Sequence, residues 1–177
     1  MKAFRRLFGQ KNDQLIDQAD SLVRVAYATA VSAFGPILDK FPVVQTVYLG
    51  RENQAEYVNH FDFMMTVACV FLAVEGLRKV DAEEARTNAA VDRIELRLTQ
   101  WNATDSIPGF EHCKNFFTKE YEALAKVDYD PKHIVPDAVG SWVVSDILQK
   151  SPVTEEERRL VRAVGAMIAK KFSNWWD

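Results

Sequence analysis

Phe63-Met64-Met65-Thr66-Val67-Ala68-Cys69-Val70-Phe71-Leu72-Ala73-Val74 is the most apolar stretch of this chain, with Asp62 before it and Glu75 after it. Its twelve residues fall short of the ~20 that a membrane span needs. Polar sequence continues in helical spacing on either side. The stretch therefore predicts a central buried helix, covering about residues 52–80, against which other helices pack their apolar faces.

Amphipathic patterns surround it. Leu15, Ala19, Leu22, Ala26 and Ala30 predict a first long helix from about Asp13 to Phe34, stopped by Gly35-Pro36 because proline disfavours helical geometry in the residue before it. Val43–Leu49 is β-branched, but no second strand is available to pair with it, so a short helix from Pro42 to Gly50 is expected. Val91, Ile94, Leu98 and Trp101 mark the next helix, entered through Asp81-Ala82-Glu83-Glu84; its other face carries Arg86, Asp92, Arg93, Glu95 and Arg97. Asn102–Gly109 reads as a turn, and Phe110, Cys113, Phe117 and Leu124 as the stripe of a further helix. Another helix is expected from about Pro136, with Ser151-Pro152 as its break. Thr154-Glu155-Glu156-Glu157 is a capping box opening the last one. The expected fold is all-α: a single globular helical domain over residues 1–177, a bundle of six or seven helices around the central apolar one. Residues 1–11 form a short basic amphipathic N-terminal segment.

Composition agrees. The chain has 177 residues, 48% hydrophobic and 27% charged, with only 7 Gly and 6 Pro, which is globular and neither disordered nor fibrous. Length alone implies roughly one domain, large enough to need no disulfide or metal staple. Cys69 and Cys113 lie in apolar stretches without a CxxC motif and read as core thiols, favouring a reducing compartment, the cytoplasm. The basic opening turns polar at Gln10 without the apolar run of a secretory signal.

Net charge is −3, unevenly placed. Lys2, Arg5, Arg6 and Lys11 make one end basic, and Arg158, Arg159, Arg162, Lys170 and Lys171 the other, so the body between them is acidic. A nucleic-acid binder needs a basic stripe through its body, so nucleic acid is a disfavoured partner.

Catalytic signatures are absent: no GxGxxG, P-loop, HExxH, GxSxG or EF-hand loop occurs. No Glu-x-x-His pair is present to build a helical di-metal site, and Glu56 with His60 makes only a two-ligand face. No catalytic residue, metal or cofactor is assigned. Three candidates remain for an inter-helix pocket: His60, Asp62 and Trp142. Phe4, Arg5, Arg6 and Phe8, with Lys170, Lys171 and Trp176, combine cations and aromatics at the two ends as a candidate contact surface for a partner or an anionic membrane.

The segment Arg5-Arg6-Leu7-Phe8-Gly9, with Phe61-Asp62 ahead of an apolar helix, resembles the ubiquinol–cytochrome c chaperone family over two short segments. That family's glycine-valine-glycine-aspartate stretch does not occur here, and no residue or function is carried across.

The expected function is a non-catalytic helical protein-binding module, an adaptor or an inhibitor-like neutraliser, whose acidic body attracts a basic protein partner. The alternatives are a small-ligand-binding or catalytic protein with an inter-helix pocket, and a peripheral membrane protein attached through its termini.

Overall fold

The computed structural model describes the backbone of residues 2–80, 84–101 and 106–176, and the side chains of 13–79, 84–100 and 109–176. Seven helices and no strand occur among the described residues: α1 (Lys2–Lys40), α2 (Pro42–Leu49), α3 (Gln54–Val80), α4 (Glu84–Trp101), α5 (Ser106–Ala125), α6 (Pro131–Leu148) and α7 (Glu155–Phe172). The fold is an all-α bundle, as the apolar periodicity predicts.

The α3 helix is the axis. Every residue from Met64 to Val74 is buried, and Phe61, Met65 and Phe71 are among the largest side chains fully removed from water. Around this helix stand α1, α5, α6 and α7, while α4 closes the outside of α1. A rod of 27 residues is roughly 40 Å long, enough to run the depth of a small domain. Both α3 (Gln54–Lys79) and α1 (Asp13–Lys40) are long and apolar enough to cross a membrane, by length and composition only; 78% of the α3 window is buried inside the bundle, against 33% for α1.

Four helix boundaries differ from the sequence reading. The first helix passes through Gly35-Pro36 and ends at Lys40. Ala33, Ile37 and Phe41 on either side of the proline are buried, so packing outweighs the one hydrogen bond that Pro36 removes. Ser32, Gly35 and Pro36 face solvent, where water serves the freed carbonyl. At its other end α1 begins at Lys2, so the helix expected from about Asp13 starts earlier and takes in residues 2–12. The α5 helix starts at Ser106, three residues before the glycine that closed the expected turn. Gly109 then lies inside the helix against the Phe63 ring, which a Cβ there would approach to 2.7 Å. Finally, α6 starts at Pro131, with Pro136 inside it. Asp130 caps it, accepting from the Lys132 amide, and Pro131 occupies the first turn, where its missing N–H costs nothing.

The α6 and α7 helices make the closest pair. A Cβ on Gly140 would lie 2.3 Å from the Val161 carbonyl oxygen, and one on Gly165 would lie 1.9 Å from that of Pro136. Each helical glycine costs about 1 kcal/mol relative to alanine, and here the return is direct backbone-to-backbone contact. The Thr154–Glu157 capping box is formed in both directions, and Glu156 also accepts from the Val43 amide at 3.0 Å, joining α7 to α2.

Candidate functional site

Polar side chains converge at three clefts between helices. The first joins α1 to α4. Asp20 accepts from Arg93 Nε (2.6 Å) and Nη2 (2.8 Å) and from Arg97 Nε (2.8 Å). The Arg93 and then the Arg97 guanidinium hold the Asp20 carboxyl well below the usual carboxylate range. A cleft of about 360 Å³ opens beside them, lined by Arg24, Tyr27 and Gln100. This pairing sorts the charges of α4. Its three arginines, Arg86, Arg93 and Arg97, are half-buried, while its exposed positions are Glu84, Ala85, Asn88, Asp92, Glu95, Leu96 and Gln100. The outer face of α4 is therefore acidic, with Leu96 45% exposed at its edge.

The second cleft, about 520 Å³, lies where the start of α3 meets the end of α6 and holds His60, Tyr57, Arg51, Glu56, Asp146 and Gln149. His60 Nε2 pairs with Asp146 Oδ2. Tyr57 donates to the Ile147 carbonyl (3.2 Å), and burial pushes its phenol up to about 12. The Arg51 guanidinium lies 5.4 Å from the Tyr57 ring centroid, in cation–π range. Gln149 ends α6 in the left-handed region at φ 55, and its side-chain amide donates back to the Asp146 carbonyl.

The third cleft, about 450 Å³, lies between α6, α7 and the segment following α5. Asp137, 5% exposed, is its buried anchor. Tyr129 donates its hydroxyl to Asp137 Oδ2, and Arg162 reaches the same oxygen through Nη2 (3.2 Å) and Nε (3.4 Å). Asp137 Oδ1 is buried without a donor. Burial, then the Asp137 carboxylate, raises the Tyr129 phenol.

These clefts do not unite the three pocket residues expected from sequence. His60 lines the second. Asp62, two residues on and so ~200° around the helix, turns inward at 6% exposure, where its Oδ1 has no partner and burial raises its pKa. Trp142 belongs to the core at 1% exposure, its indole N–H donating to His112 Nδ1 at 3.4 Å. Glu75, the other bracket of the apolar run, pairs with Arg78 at 2.6 Å.

The expected contact surface is also divided. Phe4, Arg5, Arg6 and Phe8 lie outside the described side chains. Trp176 docks on α3, its indole N–H donating to the Ala73 carbonyl at 2.7 Å, where Gly76 leaves room for the chain near Ser173. Lys171 donates to Thr29 Oγ1 at 3.0 Å, and Lys170 is exposed. Sequence reading missed the Asp137–Tyr129–Arg162 cluster; its one signal was an acid just ahead of the largely apolar stretch Ala138–Val144.

Among the described residues no group of three or more His, Cys, Asp or Glu is placed to hold a metal ion. Cys69 and Cys113 are free, buried thiols whose pKa values burial raises. In comparisons with known proteins, no family, no curated sequence and no solved structure matches this chain.

Proposed function

We propose that this chain is a non-catalytic helical binding protein that offers the outer face of α4 to a basic protein partner. The observation that carries this reading is the sorting of charge on α4. Asp20 draws Arg93 and Arg97 inward, which leaves Glu84, Asp92 and Glu95 outermost, beside the exposed Leu96. An apolar contact bordered by one sign of charge suits a partner of opposite sign, which it steers and orients. The charged groups of the clefts also support binding over chemistry, since Asp20, Asp146 and Asp137 each pair across two elements and act as clasps.

The test compares affinity capture by the wild-type chain and by a Glu84→Lys, Asp92→Lys, Glu95→Lys variant, at low and high salt. A Lys- and Arg-rich protein held by the wild type, released by salt and lost from the variant is the expected result. The same proteins captured by both chains would refute the reading. The small-ligand alternative keeps one specific support, the α6–α7 cleft with its buried Asp137. Attachment to membranes through the termini rests on their composition alone, and sedimentation with anionic vesicles at low salt tests it.

A further inference from the structure

The cleft between α6 and α7 holds a surplus of positive charge that the bundle itself does not use. Three arginines of α7 border it: Arg158, Arg159 and Arg162. Arg162 is fixed from behind by Asp137 and Tyr129. Arg159 pairs with Glu155 at 3.3 Å, one turn earlier on the rim. Arg158 makes no side-chain ion pair with the described residues, and it stands four positions from Arg162 on the same helix face, a like-charge spacing that weakens a helix. Leu124, Pro152 and Val161 supply apolar wall, and the Ser141 hydroxyl adds a hydrogen-bonding group.

Burying Asp137 to immobilise an exposed arginine is costly, because its second oxygen is left without a donor. A core position filled by an apolar residue would avoid that cost. The arrangement therefore positions a cation at the mouth of a cleft whose volume of about 450 Å³ lies in the range of small-molecule sites.

From this geometry we infer that the α6–α7 cleft binds a small amphiphilic oxyanion, a carboxylate or phosphate head on an apolar body. The head group sits on Arg158, flanked by Arg162 and the Ser141 hydroxyl. The apolar body lies on Leu124, Pro152 and Val161. Glu155 at the rim stays neutralised by Arg159 and does not repel the head. This site is independent of the α4 face, so neither proposal falls with the other.

Titration calorimetry of the intact chain tests it with phenyl phosphate, phenylacetate, inorganic phosphate and acetate. At least one aromatic anion binds saturably, about tenfold tighter than its inorganic or acetate counterpart, because the ring is buried. Which of the two binds identifies the head group. Arg158→Ala, whose melting curve matches wild type because the side chain is exposed and unpaired, weakens binding by roughly tenfold or more. Arg159→Ala bares the Glu155 carboxylate, but both groups are exposed and screened by solvent, so it weakens binding by less than about threefold. Lack of saturation by both aromatic anions at millimolar concentration would overturn the inference. So would binding that Arg158→Ala leaves unchanged, or inorganic phosphate binding as tightly as phenyl phosphate.

Discussion

Glu157 offers the sharpest test of how this bundle is held at its α6–α7 turn. Its side chain is 2% exposed, and its carboxylate takes donors from Lys150 Nζ, the Val153 amide (2.8 Å) and the Thr154 amide (2.9 Å). Lys150 first, then the two amides, lower its pKa from 4.5 to about 2. Such a fall corresponds to roughly 3 kcal/mol of preference for the ionised form in the folded chain. Lys150 is half exposed, and solvent screens its share, so Glu157→Gln should cost about 2 kcal/mol at neutral pH. For a chain of this length that is a drop in Tm of roughly 4–8 °C. The pKa is depressed on folding, so the stabilisation is complete above about pH 4.5 and is lost as pH falls toward about 2. More than half of it is gone by about pH 3. Urea unfolding of wild type and Glu157→Gln from neutral pH downward reads this directly. The stability gap should close steadily below about pH 4.5. A gap that stays constant with pH, or no gap at neutral pH, would refute the charge-capping argument.

Other outcomes follow from the same geometry. Gly165→Ala forces a Cβ to 1.9 Å from the Pro136 carbonyl oxygen and should destabilise by about 2 kcal/mol or more despite alanine's better helix propensity, measured by thermal denaturation. Asp20→Asn leaves Arg93 and Arg97 facing a neutral amide; the stability lost should shrink at high salt and as pH falls below the ordinary aspartate range, because the native carboxyl is the depressed one. Neither Cys69 nor Cys113 should react with an aromatic disulfide reagent in the native state, and both should react in denaturant, since burial opposes thiolate formation.

Periodicity made the helices legible, because an apolar row at helical spacing must be buried somewhere. Capping chemistry fixed the start of α7, where Thr154 and Glu157 act within four residues. Boundaries set by tertiary contact were not legible. Nothing near Gly35-Pro36 announces that Ile37 and Phe41 pack well enough to carry α1 past a proline. The clefts were least legible of all. Asp20 meets Arg93 and Arg97, and Asp137 meets Arg162, only because separate helices pack together, and spacing along one helix carries no record of that. His60 and Asp62 are neighbours in sequence but point to opposite sides of α3, and this separates two residues that a linear reading groups together.

The two glycines at the α6–α7 crossing work as the pivot of a pair of shears. Asp137 and Arg162 stand close to that pivot, so a blade prised apart at Gly140 would swing them out of reach of each other. Bulk at the pivot would thereby alter the gape of the jaws, at Gly140 by pressing on the Val161 backbone and at Gly165 on that of Pro136. Selection or engineering acting on the cleft thus has a control point in two residues that have no side chain at all.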